Sequence, residues 1–169
     1  MNGPVDFDAY VQARWAGLVR SAVLLTGDRH AAEDLVQETL LRAAQHWHRI
    51  DPATADAYVR RILYTRSIDA WRWRRRQPAP AMVSERHTDD VGHAADRRVH
   101  VARALRLLTP KQRAVLVLRF FEDRTEADTA ALLDCSVSTV KSNTRDALAR
   151  LRSLAPDLAV HLGREEVRQ

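Results

Sequence analysis

Arg60, Arg61, Arg66, Arg72, Arg74, Arg75 and Arg76 fall in one short stretch, with Trp71 and Trp73 interleaved among the last of them. Guanidinium groups neutralise phosphates, and indole rings stack on unpaired bases. A segment carrying both suits single-stranded nucleic acid. A second group, Ser138, Thr139, Lys141, Ser142, Asn143 and Arg145, opens a helical pattern that follows a short helix and a turn. In a major groove, Asn pairs with adenine and Arg with guanine or phosphate. A third group, Glu33, Asp34, Gln37 and Glu38, forms the polar face of an amphipathic pattern, suited to water or to a protein partner. No nucleophile–base set, phosphate loop or pair of catalytic carboxylates is present, so no enzyme is expected. His46/His48 and His87/His93 lack the context of a metal site, and neither a metal nor a cofactor is expected. Cys135 reads as a small packing residue in a turn.

The charge follows the same layout. The chain has 27 Lys+Arg against 22 Asp+Glu, and only Lys111 and Lys141 of those cations are lysines. Residues 51–80 carry a net charge of +4 and residues 101–169 one of +3, while residues 1–50 and 81–100 each carry −1. Basic charge therefore lies in two separated blocks, as in a molecule that meets both nucleic acid and a protein. One Cys in 169 residues excludes a disulfide framework and a cysteine-based zinc site. No apolar run approaches the roughly 18 residues of a membrane span. The opening MNGPVDFDAY lacks the regions of a signal peptide. A soluble cytoplasmic protein is expected.

The elements that position these groups are helices, and the fold class is all-α. A first helix is predicted over about 6–25, with the stripe Phe7, Tyr10, Val11, Leu18, Ala22 and Leu25. Gly27 is its C-terminal cap and Asp28 the N-cap of a second helix over about 30–47. That helix buries Ala32, Leu35, Val36, Thr39, Leu40, Ala43 and Trp47. Asp51-Pro52 is read as the start of a third, with Tyr58, Val59, Ile62 and Leu63 inward and Trp71–Arg76 at its end. Trp71 and Trp73 are about 200° apart around a helix, so one is expected buried and one exposed. Residues 77–95 read as a linker. Beyond it, Val101, Ala102, Leu105 and Leu108 form a stripe, and Thr109 with Gln112 makes a capping box for a helix to about Phe121. Thr125 caps a short helix ending at Leu133, Asp134-Cys135-Ser136 is a turn, and a long helix runs over about 138–154 with Val140, Leu148 and Leu151 inward. A short helix, a turn and an Arg-bearing helix form the helix-turn-helix format. The chain divides into two small helical domains, 1–76 and 96–155, with a tail at 156–169.

Four segments resemble extracytoplasmic-function RNA polymerase sigma factors of the actinobacterial type: LLTGDRHAAEDLVQETLLRA, DAYVRRILYTRSIDAWRWRRR, ALRLLTPKQRAVLVLRFFED and AALLDCSVSTVKSNTRDALARLR. The resemblance implies that the chain binds core RNA polymerase and directs it to promoter DNA, with an anti-sigma factor as a further partner. It implies that residues 1–76 form sigma region 2, in which Glu33, Asp34, Gln37 and Glu38 contact the polymerase clamp. Arg60, Arg61, Arg66, Trp71, Arg72, Trp73, Arg74, Arg75 and Arg76 then face the melted −10 element, next to a base-capturing loop at 48–55. Residues 96–155 become region 4, in which Ser138, Thr139, Lys141, Ser142, Asn143 and Arg145 face the −35 element. The chain departs from the family pattern at Thr129, Asp134, Asn143, Thr144 and Asp146. Thr129 and Thr144 are expected to weaken the small core, and Asp146 to oppose phosphate.

Free of partners, the two domains are expected to move independently about the linker. Two other functions fit the same residues: an autonomous helix-turn-helix DNA-binding regulator, and a degenerate sigma-like interaction module that reads no promoter.

Overall fold

The computed structural model describes residues 6–76 and 101–158. Helix α1 spans Phe7–Thr26, and the Asp6 carboxylate accepts from the Asp8 N–H at its start. Gly27 ends it in the left-handed region at φ 76°, and its N–H donates to the Val23 carbonyl. A side chain at this position would also collide with Arg106, whose Cγ and Cδ fill the space a Cβ would need. Helix α2 spans Arg29–His46 with Asp28 as N-cap, and it buries Ala32, Leu35, Val36, Thr39, Leu40 and Ala43. That is the stripe read from the sequence, except that Trp47 begins a single 3-10 turn, Trp47–Arg49. The Trp47 ring packs edge-on to Phe7 and tilted against Tyr10.

Helix α3 spans Ala55–Arg76, starting later than Asp51-Pro52 suggests. The Asp51 carboxylate accepts from the Ala53 N–H, and Thr54 donates to the Asp51 carbonyl. These local bonds favour a turn over a helical start. Val59, Leu63 and Tyr64 are fully buried on α3. The side chains of Trp71–Arg76, and with them the expected split of the two tryptophans, lie outside the description, as do the linker at 77–95 and residues 159–169.

Residues 101–105 are helical (α4). The Thr109 capping box opens α5, Pro110–Leu116, which continues as a π turn, Val117–Phe121. A second capping box at Thr125 opens α6, Glu126–Leu133. Ser136 caps α7, Val137–Leu154, one residue earlier than the sequence pattern suggests. Val115, Ala130 and Val140 form a small core inside the helix-turn-helix, with Leu133 and Cys135 against it. Cys135 is thus the packing residue expected, and burial raises its thiol pKa. Leu158 packs on the main core, so the start of the tail is docked.

In this structure the two helical units pack against each other. One continuous core joins Leu18, Ala22, Leu25, Leu63 and Tyr64 of the N-terminal unit to Leu105, Leu108, Leu116, Leu118 and Phe120 of the C-terminal unit. Helix α5 touches α1 and α3, and α6 touches α3. The reason is apolar surface. Packing the units against each other removes Leu25, Leu63, Leu105 and Leu116 from water.

Thr129 is fully buried, and its hydroxyl has no hydrogen-bond partner among the described residues. Thr144 is also buried, but its hydroxyl donates to the Val140 carbonyl at 3.0 Å. Thr129→Val should therefore raise unfolding free energy by about 1 kcal/mol, and Thr144→Val should change it by less than about 0.5 kcal/mol. Urea denaturation of the two variants checks the difference.

Candidate nucleic-acid and polymerase interfaces

The outward face of α2 carries Asp34 and Gln37, both exposed. Leu41 lies one turn further on the same face and is 68% exposed, an apolar neighbour that the charge pattern did not reveal. Glu33 pairs with Arg29 at 3.0 Å. Glu38 pairs with Arg42 on its own helix and with Arg66 of α3. Asp34 and Glu38 also border a groove whose floor includes Leu25 and Leu35 and whose far wall is Pro110 and Arg113 of the C-terminal unit. The α2 face is therefore continuous with the seam between the units.

The cationic helix α3 is only partly open. Arg60 is nearly buried, with 12% of its side chain exposed. It donates to the Asp56 carboxylate at 2.8 Å, and its Nη1 lies 2.5 Å from Glu122 Oε2, an ion pair outside hydrogen-bond angles. Arg61 lies 3.4 Å from Asp134. The first three candidate arginines thus each meet a carboxylate of the same chain, two of these from the C-terminal unit. Beside α3, His46, Arg49, Ile50, Asp51, Thr54 and Tyr58 line an open cleft. It falls at the loop 48–55 singled out for base capture, and His46 and Tyr58 extend it beyond those bounds.

Glu122 organises the polar seam. The π turn ends on it, with its N–H donating to the Val117 carbonyl. Its Oε1 accepts from Ser21 at 2.5 Å and from Tyr64 at 2.8 Å. Burial first, then the Glu122 charge and hydrogen bond, pushes the Tyr64 phenol far above its usual pKa. Burial works against the charge on Arg60, but Glu122 and then Asp56 outweigh it, so Arg60 is held protonated more firmly than usual. Burial alone would raise the Asp56 pKa. The Arg60 hydrogen bond and the charges of Arg60, Arg14 and Arg124 overcome this and hold it below the usual carboxylate value. Arg124 reaches Asp56 at 3.3 Å from the C-terminal unit. Arg113 adds a second staple, donating to the carbonyls of Leu25 in α1 and of Leu105, Arg106 and Leu108 in its own unit. No sequence motif marked Glu122, Ser21, Tyr64 or Arg113 for these roles, because their partners are far away along the chain.

On α7, Ser138, Lys141 and Arg145 are exposed, and Thr139, Ser142 and Asn143 are half-buried. The Asn143 amide donates to the Thr139 carbonyl at 2.8 Å, and Ser142 donates to the same oxygen. Lys141 lies 3.6 Å from Glu126, and Arg145 donates to Asp146 at 3.3 Å. Asp146 therefore already engages the neighbouring cation. The structure brings these six residues together at the N-terminal half of a helix packed as the second member of a helix-turn-helix.

The fold and its basic surfaces define a two-unit helical protein with a helix-turn-helix of the nucleic-acid-binding type. Residues 9–77 match the family described as Sigma-70 region 2, and residues 98–151 match Sigma-70, region 4. The chain is 40% identical to the RNA polymerase sigma-E factor of Streptomyces coelicolor, over 98% of this chain and 97% of that one. It is 33% identical to the ECF RNA polymerase sigma factor SigL of Mycobacterium tuberculosis, over 91% and 89%. The solved complex of sigma factor RpoE with anti-sigma factor NepR from Bartonella quintana matches with a TM-score of 0.67 and 24% identity, covering 88% of this chain and 96% of that one. The chain belongs to the extracytoplasmic-function RNA polymerase sigma factors, and directs promoter-specific transcription as a sigma factor. Among the described residues, no helix is long and apolar enough to cross a membrane.

The lowered Asp56 pKa has a definite sign. Its contribution to stability is complete above the unfolded carboxylate value of about 4 and drains away as pH falls through the lower folded value. Asp56→Asn should cost about 2 kcal/mol at neutral pH. The variant should also lose stability less steeply than the wild type below about pH 4, as read by urea denaturation across pH.

Proposed function

We propose that α2 anchors the chain to core RNA polymerase through Asp34, Gln37 and Glu38, with Leu41 as an apolar contact at the edge. Helix α3, from Arg60 to Arg76, holds the non-template strand of the opened −10 region, and the cleft between His46 and Tyr58 receives an unstacked base. Helix α7 enters the −35 major groove with Ser138, Thr139, Lys141, Ser142, Asn143 and Arg145. The observation that carries this reading is the placement of the three candidate groups on three different helices, within a chain that belongs to the sigma family.

In this reading the chain acts by binding and not by bond-making chemistry of its own, and it works in the cytoplasm alongside polymerase. The partners are core RNA polymerase, promoter DNA and an anti-sigma factor. The last is supported by the NepR complex and by that of CnrH with the cytosolic domain of CnrY, a second structural relative with a TM-score of 0.66 and 23% identity. The groove at the seam of α2, α3 and α5 adjoins the α2 face, so a regulator seated there would also cover part of the polymerase contact.

Run-off transcription with purified core polymerase tests the reading. The chain should yield promoter-dependent transcripts that core polymerase alone does not make. Polymerase binding without promoter opening would reduce the chain to an interaction module. A footprint on duplex DNA without polymerase would favour an autonomous regulator. Asp34→Arg with Gln37→Arg, both at exposed positions, should weaken polymerase binding at least about tenfold while leaving the fold intact. Unchanged affinity would remove α2 from the polymerase contact.

A further inference from the structure

We propose that Asp146 is a positioning residue for base recognition: it holds Arg145 by Nε so that the two Nη groups meet a guanine of the −35 element. The proposal rests on the reading of α7 as the −35 helix.

The six candidate residues of α7 are not equally free to reach a base. The hydroxyls of Ser138 and Thr139 each lie 2.8 Å from that of Ser136, within the N-terminal cap. Ser142 and Asn143 both donate to the Thr139 carbonyl, at 3.0 and 2.8 Å. One donor of the Asn143 amide, the group that would meet adenine, is thus turned back on its own helix. Lys141 lies 3.6 Å from Glu126 of α6. Arg145 differs. Its side chain is 77% exposed, and its hydrogen bond to Asp146 Oδ1 at 3.3 Å uses Nε alone. Both Nη groups are left to bond elsewhere.

The helix aims this pair outward. Val140, Thr144, Ala147, Leu148 and Leu151 bury one side of α7. At 3.6 residues per turn, Arg145 and Asp146 stand on either side of the line opposite that core, and both are exposed. Guanine presents N7 and O6 together in the major groove, and a guanidinium meets both with two parallel donors. A long side chain gives up rotamer freedom to make that contact. Fixing Nε in the free chain lowers this cost before DNA arrives. The guanidinium in turn offsets the Asp146 charge, which would otherwise oppose phosphate. The departure from the family pattern at Asp146 is then a change in what the helix reads and not a loss of reading.

The test uses the full chain assembled with purified core RNA polymerase. Duplex promoter fragments randomised across the −35 element are offered, and the bound fragments are sequenced. The wild type should enrich a G·C pair at one fixed position. Putting 7-deazaguanine there removes the N7 acceptor and should weaken binding about tenfold, the scale of one hydrogen bond to a charged group. Arg145→Ala should abolish this preference. Asp146→Ala should reduce it to about threefold, and adding it to Arg145→Ala should cost nothing more. Asp146→Asn removes the same charge but keeps an acceptor for Nε, so it should retain more of the preference than Asp146→Ala. Both Asp146 variants should raise affinity for all fragments alike, because a charge near phosphate is gone. The preference is a ratio within one protein, so a smaller folded fraction would not move it.

An unchanged guanine preference in Asp146→Ala would overturn the proposal. An equal loss in Asp146→Asn and Asp146→Ala would overturn it as well, and so would enrichment of −35 sequences without a fixed guanine. If the wild-type holoenzyme enriches no −35 base at all, the −35 reading of α7 fails and takes the proposal with it.

Discussion

A single carboxylate at a seam organises this molecule. Glu122 ends a π turn and meets Ser21, Tyr64 and Arg60, which come from two helices of the other unit. A buried carboxylate without partners is costly, and removing one partner of a buried ion pair typically costs about 3–5 kcal/mol. The seam therefore favours an arrangement in which all of these groups are present together. Around it, Arg124 with Asp56 and Arg113 with the Leu25 carbonyl repeat the pattern of a cation from the C-terminal unit meeting an acceptor from the N-terminal one.

The apolar core and the polar seam have different tasks. Burial of Leu18, Leu63, Leu116 and Leu118 supplies most of the favourable free energy, but apolar contact is not directional. The hydrogen bonds from Tyr64 to Glu122 and from Arg113 to the Leu25 carbonyl fix how the units face one another. This division suits a protein whose surfaces are assigned to different partners. The α2 face stays open, whereas Arg60 and Arg61 near the start of α3 are engaged by carboxylates. The charge layout takes on a structural meaning as well. The cationic segment 51–80 is balanced across the seam by acids of the C-terminal block, so the free chain presents less positive charge than its sequence suggests.

What was legible in the sequence was local. The caps at Asp28, Thr109 and Thr125 and the buried stripe of α2 follow from a few neighbouring residues, and each is present. The sigma segments likewise fall on helices, α2, α3 and α7 among them. Asp51-Pro52 misled because side-chain bonds to nearby backbone make a turn there, and α3 waits until Ala55. The seam was not legible. Ser21 and Glu122 are 101 residues apart, and Tyr64 and Glu122 are 58 apart, so no periodicity links them. Arg60 illustrates the difference: its charge and spacing marked a phosphate contact, but its burial depends on a unit from the other half of the chain.

Calorimetry of the free full-length chain tests the central claim, that one core and one seam make a single cooperative body of the two units. A shared body unfolds in one transition whose calorimetric and van't Hoff enthalpies agree. Two separate transitions, or a calorimetric enthalpy well above the van't Hoff value, would contradict it.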